Sequence, residues 1–146
     1  MNLTVVVLTK NESANLPQCL NSLVPGVSVL VVDSQSTDQT VQLAKDHGAE
    51  VIETHEWKGF GHQRNLALGH VKTRWVLFLD ADERIQSNSW DEIQAAIRDP
   101  QSCAYGFPRL TNFAGSWIRH CGWYPDRVTR MSPVGQARYS DDLVHE

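Results

Sequence analysis

The sequence predicts an α/β fold: a doubly wound, mostly parallel sheet with helices on both faces. Three observations predict it. Residues 3–8, 27–32 and 75–79 are apolar runs without polar alternation, as in strands buried on both faces. Helix-forming stretches lie between them. Each run gives way to polar residues at what would be a strand carboxyl end, where open α/β sheets bind ligands.

The elements follow in order. Leu3-Thr4-Val5-Val6-Val7-Leu8 is a β-branched first strand, and Thr9-Lys10-Asn11-Glu12 is the polar loop after it. Asn15 is placed to cap a helix that tolerates Pro17 in its first turn. Leu16, Cys19, Leu20 and Leu23 share one helical face, and Pro25-Gly26 ends it. The second strand, 27–32, stops at Asp33. In the Ser34-Gln35-Ser36-Thr37-Asp38 loop, Ser36 and Gln39 have capping-box spacing, and Gly48 suits the left-handed position after the helix. Residues 50–53 form a short third strand. Gly59-Phe60-Gly61 is a flexible lead into a helix over 62–71, followed by the strand at 75–79. Ser89 and Glu92 again have capping-box spacing; Trp90, Ile93 and Ile97 share a face, and Asp99-Pro100 closes that helix. From Ala104 the chain is rich in aromatics, Arg and turn residues without helical period, which reads as short strands and loops. Its abrupt stop at Val144-His145-Glu146 reads as a fragment of a longer chain.

A length of 146 residues makes this one domain with a sizeable core. Hydrophobic content of 41% and charged content of 21% are those of a globular protein. A formal net charge of -4 argues against nucleic acid as a partner. Cys19, Cys103 and Cys121 have no metal-type spacing and read as reduced, buried thiols of a cytosolic protein. No apolar run reaches membrane-spanning length, and residues 3–8 are cut off too early for a signal peptide. Contact with a membrane surface remains compatible with these totals.

The run Trp75-Val76-Leu77-Phe78-Leu79 leads straight into Asp80-Ala81-Asp82. Two carboxylates at the end of a buried strand need a partner, because desolvated charge is costly. A hard divalent cation, Mg²⁺ or Mn²⁺, supplies one and also binds phosphate oxygens. The plain alternative is a solvated acidic turn. Asp33 has the matching position after the second strand, where a carboxylate can accept from a base or ribose; its alternative is service to the loop. Asp38 suits the helix start better. Lys58, Arg64 and Asn65 are available to phosphates, although Arg64 on a bare helix would point to solvent. The six histidines lack metal spacing such as His-Glu-x-x-His. Asp141, Asp142 and Glu146, with His145, form a late acidic cluster that reads either as a general base or as an acidic turn. No Gly-x-Gly-x-x-Gly and no Walker loop is present.

Taken together, six pieces resemble a family-2 glycosyltransferase of the GT-A fold. They are Val6-Val7-Leu8-Thr9-Lys10-Asn11-Glu12, Val31-Val32-Asp33-Ser34-Gln35-Ser36-Thr37-Asp38, Gly59-Phe60-Gly61-His62-Gln63-Arg64-Asn65-Leu66-Ala67, Leu79-Asp80-Ala81-Asp82-Glu83, Gly122-Trp123-Tyr124-Pro125-Asp126 and Val144-His145-Glu146. Together they resemble the branch that builds the lipopolysaccharide inner core. The resemblance implies a nucleotide-sugar donor, a UDP-sugar such as UDP-glucose, and a lipopolysaccharide-core or other lipid-linked glycan acceptor. It implies residues 1–103 as the nucleotide-sugar-binding half and 104–146 as the start of an incomplete acceptor half. Substrate contacts fall on Thr9, Asn11, Glu12, Asp33, Ser34, Arg64, Asn65, Asp80 and Arg130, with Glu12 near the ribose and Asp33 on the uracil. Asp80 and Asp82 match the family's Asp-x-Asp metal motif, with His145 approaching the metal. Glu146 stands where inverting members keep their base, with Asp142 or Asp141 as the substitute. The implied location is cytoplasmic, with peripheral contact at the cytoplasmic face of the inner membrane. Two rivals use the same residues differently: a haloacid-dehalogenase-type phosphatase with Asp80 as nucleophile, and a non-catalytic sugar-nucleotide-binding module.

Overall fold

The computed structural model describes residues 1–101, 103–120, 124–136 and 138–140. Its central strands are the two most apolar runs of the chain, β1 (Leu3–Thr9) and β4 (Trp75–Asp80), paired in parallel with Leu8 opposite Asp80. On the other side of β1 lies β2 (Ser28–Asp33), also parallel, with Thr9 opposite Asp33. β3 (Glu50–Glu53) extends that edge in parallel with β2. The far edge is built differently. β8 (Asp126–Pro133) runs antiparallel beside β4, and β5 (Tyr105–Arg109) antiparallel beside β8, so the sheet order is β3-β2-β1-β4-β8-β5. A separate hairpin, β6 (Thr111–Phe113) and β7 (Ser116–Ile118), projects from the end of β5. The mostly parallel α/β sheet expected from the sequence is therefore present.

Alternation along the buried strands sorts their side chains onto two faces. Leu3, Val5 and Val7 of β1, with Leu77 and Leu79 of β4, pack under α1 (Leu16–Asn21), α2 (Thr40–Asp46) and α4 (Ser89–Arg98) through Leu16, Cys19, Leu20, Ala44, Trp90 and Ile93. Val6, Val76 and Phe78 face the opposite way, against Leu66 and Ala67 of α3 (Phe60–His70) and against Tyr139. Burying each such aliphatic or aromatic side chain contributes about 1.5–3 kcal/mol, so both layers are needed to hold the sheet. Burial pushes the Cys19 thiol up to about 12, with Glu83 adding in the same direction.

Several local expectations need correction. The Ser36–Gln39 capping box does not form: α2 begins at Thr40, and the Ser36 hydroxyl donates to Asp33 instead. Ser89 lies inside the first turn of α4 rather than capping it; Asn88 stands at the cap, without a side-chain cap bond. Asn15 does occupy the cap of α1, but its amide donates to Glu12 rather than capping the helix. α1 ends at Asn21, and Leu23 packs against the core from beyond it. Cys103 is exposed, not buried, and Cys121 lies outside the described residues. β8 was not anticipated as a strand, because only Val128 and Met131 break its polar character. Pairing with β4 on one side and β5 on the other makes it one.

Gly61 has a tighter reason to be glycine than a flexible lead would give. A Cβ there would stand 2.0 Å from the Ser140 carbonyl oxygen, so only glycine lets the returning chain cross the start of α3. No helix among the described residues is long and apolar enough to cross a membrane.

Candidate active site

In the strand order, β1 connects outward to β2 on one side while its other neighbour is β4. Open α/β sheets bind ligands in the crevice outside the strand carboxyl ends at such a reversal, here the ends of β1, β2 and β4. Asp33 and Asp80 both end there, on strands that flank β1 and therefore stand about 10 Å apart across two strand spacings. The two carboxylates picked out from sequence share one rim.

The loops after β1 and β2 are laced together. The Asn11 backbone amide donates to the Ser36 hydroxyl at 2.7 Å, Glu12 to the Thr40 hydroxyl at 2.8 Å, and Ser13 to Asp38 at 3.1 Å. In return, the Thr37 amide donates to Asn11 Oδ1 at 2.8 Å. Asn11 adopts φ 55, a left-handed conformation that Asn tolerates better than most residues. Asp38 also accepts from the Thr40 hydroxyl, and this bond, with help from Ser13, holds its carboxyl well below the usual carboxylate range.

Within this lacing lie three of the expected substrate contacts, Asp33, Thr9 and Ser34, all of them buried. Asp33 is 1% exposed; its Oδ1 accepts from the Thr9 and Ser36 hydroxyls and its Oδ2 from the Ser36 amide. It organises the loop rather than presenting an open acceptor. Thr9 is buried and spends its hydroxyl on Asp33, so it positions Asp33. Ser34 is buried too, its amide donating to the Thr9 carbonyl. Asn11 stays exposed on the rim, and Glu12 is half-buried with Oε2 accepting from Asn15.

At the end of β4, Arg130 organises the charges. It comes from β8, is 8% exposed, and sends one terminal nitrogen to both Asp80 Oδ2 at 2.8 Å and Glu83 Oε1 at 2.7 Å. Glu83 closes the turn by accepting from the Asp80 backbone amide at 3.0 Å. Burial alone would lower the Arg130 guanidinium, but Asp80 and Glu83 outweigh it and raise it. Glu83 is pushed up chiefly by burial, which its share of Arg130 does not overcome. The short contacts on both sides are those of charge-assisted hydrogen bonds.

Arg64 completes the cluster from α3. Its guanidinium lies 5.1 Å from the Tyr139 ring centre and 5.9 Å from that of Phe78, with a terminal nitrogen 3.8 Å from Asp80 Oδ1. Burial lowers it, against Tyr139 and Asp80. The solvent-facing reading of Arg64 is overturned. Asn65, expected as a substrate contact, ties to the returning chain: its amide nitrogen donates to the Tyr139 carbonyl and its amide oxygen accepts from the Tyr139 amide, both at 3.0 Å. It clamps the returning chain against α3. Lys58 is a surface residue paired with Glu56 at 2.6 Å.

Asp82 is the exposed member of the acidic turn. Asp80 and Asp82 supply hard oxygens of the kind Mg²⁺ or Mn²⁺ takes, and Asp80 has one oxygen already committed to Arg130. Among the described residues no cluster of three or more His, Cys, Asp or Glu could hold an ion. The donor set therefore fits a cation completed by water and phosphate oxygens, and does not fit a protein-only cage. His145, Asp141, Asp142 and Glu146 lie outside the described residues. Sequence reasoning missed Glu83 and Tyr139. The third acid directly after Asp-Ala-Asp was a usable signal for the first; nothing local marks the second.

The crevice, with its acidic turn at a reversal of strand order, is matched by what the chain as a whole resembles. Residues 4–141 match the sequence pattern of "Glycosyl transferase family 2". The chain belongs to that family. An uncharacterized glycosyltransferase of Rickettsia typhi is 39% identical over 118 residues, covering 77% of this chain and 40% of the relative. One of Rickettsia prowazekii is 40% identical over 94 residues, covering 63% and 32%. The chain thus spans less than half the length of these relatives. Residues 1–349 of S. aureus TarS in complex with UDP-GlcNAc superpose with a TM-score of 0.69 at 29% identity, over 81% of this chain and 37% of that one. The mannosyltransferase PcManGT of Pyrobaculum calidifontis, in complex with GDP-Man and Mn²⁺, gives 0.62 at 26% identity, over 70% of this chain and 34% of that one.

Two predictions come from this geometry. Arg130→Met keeps most of the buried stem but strands Glu83 and Asp80 side by side. Urea unfolding should show a loss of about 2 kcal/mol, below the full cost of breaking a buried pair because Asp80 is partly solvated; a loss within about 0.5 kcal/mol, the range of ordinary surface changes, would contradict the bridging assignment.

The second concerns acid. Asp38 has a depressed folded value, so the stability it adds is complete above its unfolded value of 3.8 and is lost as pH falls below that. Thermal melts taken from about pH 5 down to about pH 2 should therefore fall more steeply for the parent than for Asp38→Asn. Parallel slopes would show that the lacing of the two loops does not depend on that charge.

Proposed function

We propose that this chain is the donor-binding part of an inverting, metal-assisted glycosyltransferase. The donor is a UDP-sugar such as UDP-glucose, and the acceptor is a lipopolysaccharide-core or related lipid-linked glycan. The reading places the enzyme in the cytoplasm, in peripheral contact with the inner membrane. One observation carries it: the exposed Asp82 beside a braced Asp80, at the strand-order reversal and across β1 from the laced loops. The UDP-GlcNAc complex of TarS supports the donor class, and the Mn²⁺ in the PcManGT complex supports a divalent ion.

Each residue then has a task. Asn11 and Glu12, on the rim above the buried Asp33 bracket, take the nucleoside. Asp33 acts on the base through the loop it organises. Asp82, with Asp80 as the braced second carboxylate, would hold the divalent ion, with His145 as a further ligand. When bound, that ion neutralises charge on the leaving diphosphate. Arg64 adds positive charge beside Asp80 and the diphosphate. Glu146 takes the proton from the attacking acceptor hydroxyl, a step for which a placed base gives roughly 10²–10⁴-fold; Asp142 or Asp141 is the substitute.

Isothermal calorimetry of UDP with Mn²⁺ and with EDTA tests the donor site. Affinity should fall at least about tenfold without the ion, and Asp82→Ala should remove that difference. Equal affinities in the parent would defeat the metal-held donor. In a protein that transfers sugar, Glu146→Gln should leave UDP binding intact and lower transfer about 10²-fold or more. Donor binding without any transfer would leave a binding module instead.

A further inference from the structure

The segment that returns over α3 carries features to which the donor site gives no task. Gly61 and Asn65 lie at i and i+4 of α3, on one helical face. Together they seat residues 139–140. Ser140 crosses at Gly61, where a Cβ would stand 2.0 Å from its carbonyl oxygen. One turn on, the Asn65 side chain pairs with both backbone groups of Tyr139, donating to the carbonyl and accepting from the amide at 3.0 Å each. The Asn side chain offers a donor and an acceptor side by side, as this double pairing needs. Aspartate would lack the donor, and leucine both. The Tyr139 backbone is thereby fixed by a partner far away in the sequence.

A fixed backbone places the ring. Tyr139 meets Phe78 of β4 edge to face, with ring centres 5.2 Å apart at 81°. The Arg64 guanidinium lies against both rings, 5.1 Å from the centre of Tyr139 and 5.9 Å from that of Phe78. Only 13% of the Arg64 side chain is exposed. Burial pushes its guanidinium down and the Tyr139 hydroxyl up, so at neutral pH a cation meets the face of a neutral phenol. The 3.8 Å separation from Asp80 Oδ1 is that of an ion pair longer than a hydrogen bond, and by itself sets no orientation. The flat ring faces do. Phe78 is locked in the sheet opposite Val6 of β1, so Tyr139 is the half of the cradle that arrives from outside the parallel core. The two guanidiniums at this end of β4 are thus held differently. Arg130 is committed to Asp80 and Glu83 by hydrogen bonds, whereas ring faces place Arg64. A guanidinium resting on rings keeps its N–H groups in its own plane, where they meet oxygens.

We propose that Tyr139 is a positioning residue for the donor: seated on α3 by Gly61 and Asn65, its ring holds Arg64 where the guanidinium meets the diphosphate. The inference rests on the donor-site reading above and adds the residue that aims Arg64. It also gives the returning segment a part in donor binding.

The test is a double-mutant cycle read by isothermal calorimetry of UDP with Mn²⁺. Tyr139→Leu keeps an apolar side chain but removes the ring face, and should weaken UDP about tenfold. Tyr139→Phe keeps the face and should stay within about threefold of the parent. Arg64→Gln should weaken UDP at least as much as Tyr139→Leu does. Adding Tyr139→Leu to Arg64→Gln should cost no further affinity, within about twofold, because the ring acts through the guanidinium. Thermal melts establish that each variant is folded. Gly61→Ala favours the helix itself but collides with the Ser140 carbonyl, so it should weaken UDP in the parent and not beside Arg64→Gln. It carries the cycle if Tyr139→Leu does not fold. Unchanged UDP affinity in folded Tyr139→Leu overturns the proposal. So does full weakening by Tyr139→Leu on the Arg64→Gln background, which would make Tyr139 a purely structural residue. Either result leaves the donor site standing. A folded parent that binds no UDP overturns the donor reading and this inference with it.

Discussion

The bridge from Arg130 to Asp80 and Glu83 joins two differently built parts of the sheet. β1–β4 form a parallel core from local α/β units, while β8 arrives from the far end of the sequence and runs the other way. Leu77 opposite Met131 sets the register, and that register brings the neighbouring Arg130 under the carboxyl end of β4. Without the guanidinium, two carboxylates would sit together in a half-buried turn, which is unfavourable. With it, Asp80 Oδ2 is held by Arg130 while Oδ1 lies 3.8 Å from Arg64, and Asp82 stays exposed.

The opposite wall of the crevice is held by hydrogen bonds alone. Asp33, though buried, makes no ion pair in the described structure; hydroxyls and an amide of its own loop and of Thr9 satisfy it. Asp38 does the same for the helix start, with Ser13 and Thr40. One wall is thus braced by charge from β8 and the other by a lattice of neutral donors. A diphosphate with its ion would lie between them. The returning chain at Tyr139, clamped by Asn65 and admitted by Gly61, covers Arg64 from behind. The same segment leads directly to the residues proposed as the base.

Much of this was legible. A β-branched, mostly apolar run at 3–8 and an unbroken apolar run at 75–79 announce strands buried on both faces, and their polar ends locate the rim. Asp33 and Asp80 were found by position alone. What failed was the reading of short polar motifs. Ser36 and Ser89 had capping spacing, yet a nearby carboxylate competes for the first and the helix starts one residue early for the second. Thr9 and Asn65 carry partners that no local pattern shows, Asp33 and Tyr139, distant in sequence. β8 was invisible because its strand character comes from neighbours on both sides rather than from its own pattern. Long-range pairing of this kind leaves no local period to read.

The central claim is that a divalent ion sits at the Asp80–Asp82 turn, held jointly with a nucleoside diphosphate across the crevice from the laced loops. Paramagnetic broadening by Mn²⁺ in a backbone-assigned NMR spectrum tests it directly. With UDP present, substoichiometric Mn²⁺ should broaden first the amides of residues 80–84, then those of the loops after β1 and β2. Without UDP the effect should be weak, because the protein supplies too few ligands of its own. Broadening centred elsewhere, or the same at 80–84 with and without UDP, would contradict the account.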